Sequence, residues 1–176
     1  MLSLSAADVS GAVALGLLAV WPLLRGRRAL VLGQAASSLV FGVHYALIGA
    51  TTGAAVTVLS VVQALAALPR HRSVARVVVF GATLAALGGV CWFTWQGWPS
   101  ACAAVGMLMA AAGRWHGSAS GFRLGFAAAG VAWIVHDVAT GSVYGLVADV
   151  ACLASLGVGA VRERRAVTLT ADAPAS

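Results

Sequence analysis

The chain has 176 residues, of which 61% are apolar and 9% charged, with a mean hydropathy of +0.94. A soluble domain carries roughly a quarter charged residues, and this much apolar surface would leave large greasy patches in water, so a soluble globular protein is excluded. The net charge of +6 comes from eleven arginines and no lysine; arginines that orient helices and meet lipid headgroups account for it without a nucleic-acid partner.

About 20 apolar residues carry a helix across the hydrocarbon, and arginine clusters with Gly/Pro/Ser gaps cut the sequence into seven such stretches. The first, 8–24, opens on Asp8 as its N-cap and ends at Arg25, Arg27 and Arg28. No basic residue precedes it, so it is expected to stay as a helix rather than be cleaved as a signal peptide. The second, 29–49, sets Gln34, Ser37, Ser38, Phe41, His44 and Tyr45 in one stripe. A turn from Gly49 to Gly53 leads to the third, 53–69, where Thr57 and Ser60 project together beside Gln63. Arg70, Arg72 and Arg76 follow. The fourth, 77–95, ends among Trp92, Trp95 and Trp98, as an aromatic belt would.

The fifth stretch, 99–113, is short and runs into Arg114 and Trp115. The sixth, 122–140, starts beside Arg123 and places Trp133, His136 and Asp137 on one face. The seventh, 143–161, holds Asp149 and Ser155 and is closed by Arg162, Arg164 and Arg165. The polar tail, 166–176, is expected to be disordered. None of these runs alternates strictly, so helices are predicted rather than barrel strands. The arginines fall in every second gap, which places the N-terminus outside and the C-terminus in the cytoplasm.

Shifted by 92 residues, the sequence overlays itself without gaps: His44 meets His136, Gly49 and Gly53 meet Gly141 and Gly145, and Arg70 and Arg72 meet Arg162 and Arg164. The expected architecture is therefore an all-α membrane protein of seven transmembrane helices. Two parallel three-helix repeats (1–76 and 99–165) are joined by a linker helix (77–98), as in one class of transporter.

This plan resembles the SWEET and PQ-loop carriers, although no proline–glutamine pair of the PQ-loop type occurs. The local sequence is more closely similar to the YgjV family of bacterial inner membrane proteins. The likeness is carried by Gln34, His44-Tyr45-Ala46-Leu47-Ile48-Gly49-Ala50, Ser60, Trp133-Ile134, Gly141, Tyr144-Gly145, Asp149, Ser155, Gly157 and Arg162. The resemblance implies a bacterial inner membrane protein of this fold and no particular solute. The family tends to have an acid where Asp149 stands and a basic residue near Gln63, where this chain departs from it.

Polar groups within a span are costly and usually face a cavity or a partner. Gln34, Ser38, Phe41, His44, Thr57, Ser60, Gln63, Trp133, His136, Asp137, Asp149 and Ser155 are the expected lining of a solute path, with Asp149 the proton-coupling candidate. The same hydroxyls, amides and imidazoles could equally bond neighbouring helices. Cys91, Cys102 and Cys152 lack metal or disulfide spacing, and no nucleophile set or phosphate loop occurs. Neither a cofactor, a metal nor enzymatic activity is expected. The expected partners are the lipid bilayer and a small polar solute, with homo-oligomerisation left open. The leading reading is a small-solute carrier, sugar-like or otherwise, working by alternating access. The alternative is a non-transporting receptor or assembly protein.

Overall fold

The computed structural model describes residues 4–69 and 73–171, with side chains to 163. Arg70 and Arg72 therefore lie outside the described residues, as do the side chains of Arg164 and Arg165. Among the described residues the chain is all-helical: α1 (Ala6–Val20), α2 (Arg27–Leu47), α3 (Thr51–Ala67), α4 (Val74–Thr94), α5 (Trp98–Trp115), α6 (Ala119–Thr140) and α7 (Val143–Ala171). A short 3-10 turn, Trp21–Leu23, follows α1. By length and composition α1 with its turn, α2, α4, α6 and α7 can cross a membrane. The other two are the 17-residue α3 and the 18-residue α5, which closes on Arg114 and Trp115.

Local chemistry sets the helix ends. The N-cap of α1 is Ser5 rather than Asp8: Ser5 Oγ accepts the Asp8 N–H at 3.1 Å, and the Asp8 carboxylate accepts the Ser5 N–H at 3.0 Å. This reciprocal box satisfies two otherwise unpaired donors. Ser73 and Ser118 cap α4 and α6 with a single bond each, their Oγ accepting the Arg76 and Gly121 N–H, so both helices begin ahead of the expected apolar runs. Gly49 and Gly141 turn the chain after α2 and α6 with φ of +79° and +69°, a region that costs a side chain and not glycine. The last helix continues to Ala171, into the segment expected as a tail, while 172–176 lie outside the described residues.

Packing inverts the pattern of a soluble core. Large apolar side chains point outward, among them Leu39, Val43, Val78, Phe93, Leu124, Val131 and Val138. The interior is rich in Ala14, Ala64, Ala103, Ala110, Ala111, Ala129 and Ala148. Small residues let helix backbones approach where lipid supplies no hydrophobic drive. The tightest approach joins α5 to α6, where a Cβ built on Gly125 would lie 2.6 Å from the Gly113 backbone nitrogen. Helix α1 packs on α2 and α7, α5 on α6 and α3, α2 on α3, and α6 on α7; α4 lies against α3 and, less extensively, α5.

Polar ties gather at the two ends of the bundle. At one end, Arg27 Nη1 donates to Ala67 O at 2.7 Å, and Arg76 Nη2 donates to Arg114 O at 2.8 Å and Trp115 O at 2.9 Å. These carbonyls close α3 and α5, and cations suit that end of a helix. Arg27, Arg76, Arg114 and Arg123 are buried within the protein, rather than meeting headgroups as the sequence suggested. Arg123 ion-pairs with Glu163. At the opposite end, the Thr52 hydroxyl joins Ser100 Oγ at 2.9 Å and Thr94, holding the start of α3 to α4 and α5.

Candidate functional site

Between these ends the helices line a cavity of about 60 Å³. Its lining follows the 92-residue offset: Leu18 and Ala110, Gln34 and Phe126, Ser37 and Ala129, Ser38 and Gly130, Phe41 and Trp133, Thr57 and Asp149, Ser60 and Cys152. Tyr45 and Arg114 complete it. Helical stripes on α2 and α3 face their counterparts on α6 and α7, and α1 faces α5 through Leu18 and Ala110. Wherever one member of a pair is polar or charged, its counterpart is usually small or apolar; Thr57 and Asp149 are the exception.

Aromatic rings wall the cavity on the glycine-turn side. The Tyr45 ring stacks on Trp133, with centroids 5.8 Å apart and planes 13° off parallel, and on Phe41 at 5.5 Å. Its hydroxyl donates to Asp137 Oδ1 at 2.7 Å. Asp137 Oδ2 and Asp149 Oδ2 receive no donor from the rest of the described chain. The two carboxyls are close electrostatic neighbours. Gly145 makes room for this pair, because a Cβ there would land on the Asp137 carboxyl.

On the arginine side, Arg114 Nε donates to Gln34 Oε1 and Nη1 to Gln63 Oε1, both at 3.1 Å. The guanidinium carbon lies 5.0 Å from the Phe126 ring centroid, a favourable seat for a cation. Three lining atoms, Arg114 Nη2, Ser37 Oγ and Asp149 Oδ2, are buried without a hydrogen-bond partner among the described residues. A buried polar atom left unpaired costs about 1–3 kcal/mol.

Of the residues expected to form the path, Gln34, Ser38, Phe41, Thr57, Ser60, Trp133 and Asp149 line the cavity. Gln63 stands behind Arg114, and Asp137 behind Asp149 and Tyr45. Ser155 is half-buried on α7 and outside the lining. His44 and His136 also lie outside it and tie helices together. His44 Nδ1 bonds Ala7 O at 3.0 Å, and His136 Nδ1 bonds Pro99 O at 2.9 Å, a correspondence at the same offset. Carbonyl contact puts the proton on Nδ1 and leaves Nε2 an acceptor. Ser142 Oγ fills that role for His44 at 3.1 Å, whereas His136 Nε2 has no partner among the described residues.

The counterpart of Ser142 is the buried Ala50. Ala50→Ser should supply the missing hydroxyl and raise stability by about 1 kcal/mol, read as a higher Tm of the detergent-solubilised protein. An unchanged or lower Tm would count against the correspondence of the two histidine sites.

Arg114 was missed as a lining residue, because an arginine after a short span carries the ordinary signal of a membrane boundary. A signal was present: Ala103, Met107, Ala110 and Arg114 recur at helical spacing, and all are buried on one face of α5.

The chain matches the family described as Imp-YgjV, bacterial inner membrane protein, over residues 5–166. No curated protein and no solved structure matches it.

Proposed function

Because the chain belongs to the Imp-YgjV family of bacterial inner membrane proteins, and is a multi-pass protein of that membrane, we propose that it carries a small polar solute by alternating access. The moving parts are two three-helix units, 1–76 and 99–165, which rock about the cavity while 77–98 links them. Support comes from the packing. Exchanging α1 with α5, α2 with α6 and α3 with α7 turns the set of main interhelix contacts among these six into itself. That is the behaviour of a pseudo-two-fold axis, and the paired cavity lining lies along it.

All seven helices cross in this reading. Both α2 and α4 start among the arginines and end at the opposite side, so α3 has to run the full depth between them. The same argument holds for α5 between α4 and α6. With the arginines on the cytoplasmic side, the N-terminus lies outside.

The observation that carries the proposal is the convergence of Arg114 Nη2, Ser37 Oγ and Asp149 Oδ2 on one cavity without partners. Interhelix bonding alone would pair them, so their retention points to a ligand. At about 60 Å³ the cavity is far below the roughly 300 Å³ of a drug-sized pocket, so a sugar ring would require the units to part. Saturable uptake into proteoliposomes from a panel of neutral, anionic and cationic small solutes is the expected result. A panel that gives none, with or without a pH gradient, would end the carrier reading. The small volume also favours the second reading, a non-transporting receptor, which predicts specific binding without flux.

A further inference from the structure

Arg114 is fully buried, and its surroundings hold it in one orientation. Gln34 Nε2 donates to Ser38 Oγ at 2.6 Å, and Gln63 Nε2 donates to Thr83 Oγ1 at 2.8 Å. Each amide therefore has its nitrogen engaged elsewhere and must turn its oxygen to the guanidinium. The Thr83 hydroxyl is itself committed to the carbonyls of Val79 and Phe80. Among the described residues the guanidinium donates to neutral oxygens and lies over the Phe126 ring. No carboxylate pairs with it among the described residues, and Nη2 keeps both of its N–H groups free. A buried charge compensated only by dipoles is unfavourable; an anion delivered into the cavity offsets that directly.

The remaining lining restricts which anion fits. A single guanidinium matches a single negative charge, and among the described residues no second cation lines the cavity to receive a dianion such as phosphate. Phe41, Phe126 and Trp133, with Ala110 and Ala129, form apolar walls suited to a short hydrocarbon body. The acidic member of the lining, Asp149, faces Asp137 rather than Arg114. At about 60 Å³ the cavity suits a small anion.

We infer that this cavity binds a short-chain monocarboxylate, its carboxylate held by Arg114 Nη2 and its alkyl body between the aromatic walls. The inference deepens the carrier reading and rests on it for the solute's onward path; the binding step itself can be measured without transport.

The test is calorimetric titration of the full-length protein in nanodiscs with sodium acetate, propionate and butyrate. Choline chloride serves as the cationic control and glycerol as the neutral one. Saturable binding of at least one carboxylate is expected, weakened roughly tenfold or more by Arg114→Gln. Gln34→Glu should do the same by placing a carboxylate against Nε, neutralising the guanidinium without removing it. If Arg114→Gln fails to fold, Gln34→Glu decides alone. Carboxylate binding unchanged in the folded variants would overturn the inference, as would a folded wild type that binds none of the three. Binding of choline or glycerol in their place would overturn it while leaving a solute carrier standing. Carboxylate binding lost in the variants, with no carboxylate flux into proteoliposomes, would support the site and remove the carrier.

Discussion

Gly125→Leu should abolish recovery of folded protein, the largest structural effect expected of any single substitution here. A Cβ at that position would lie 2.6 Å from the Gly113 nitrogen and 2.9 Å from the Met109 carbonyl oxygen. Both obstacles are backbone atoms of α5, so no rotamer change relieves the contact and the whole α5–α6 interface has to open. Overpacking a core costs about 1–3 kcal/mol where side chains can move; a helix pair forced apart loses more. Size-exclusion profile and melting of the solubilised protein give the readout. Gly88→Leu is the matched control, since a Cβ there meets nothing within 4 Å. Equal melting temperatures for the two variants would refute the close approach of α5 and α6.

Asp149→Asn should remove stimulation of uptake by a pH gradient while leaving solute exchange in place. Asp149 stands beside Asp137 and its Oδ2 has no hydrogen-bond partner among the described residues, so it is the lining carboxyl open to proton exchange. An amide keeps the size and polarity of the side chain but cannot take up or release a proton, so the packing survives and the exchangeable charge does not. For one proton per solute, each unit of pH gradient supports about tenfold accumulation, roughly 1.4 kcal/mol. The variant should fall to the level reached without a gradient. Proteoliposomes with an imposed gradient measure this, and full pH stimulation in the variant would remove Asp149 from the coupling step.

Helix positions were legible because two signals coincide along this chain. Arginine clusters and glycine turns bound each apolar run, and α2, α3 and α6 fall within a few residues of the expected ends. The serine caps were less visible, since Ser5, Ser73 and Ser118 stand outside the apolar runs they begin.

Within the site, helical spacing placed Gln34, Ser38 and Phe41 on a common stripe, and the cavity brings all three together. Spacing could not tell which neighbour a stripe would meet. His44 shares that stripe, yet turns away from the cavity to Ala7 O and Ser142. The buried arginines defeated the reading for another reason. A cation that caps a neighbouring helix and one that faces headgroups look identical along the chain, and only the packing of α3 and α5 separates Arg27 and Arg76 from Arg25 and Arg28.

The paired lining has a stereochemical consequence. Were both halves the same, every recognition group would be present in duplicate, and a bound molecule could dock in two degenerate poses. Here Gln34 opposes Phe126, Ser60 opposes Cys152, and the counterpart of Arg114 is Pro22. On the proposed two-unit plan, diverged halves of a single polypeptide give the chamber a head and a foot. A guest with unlike extremities will lie one way round only, a selectivity denied to any homodimer of the same trio.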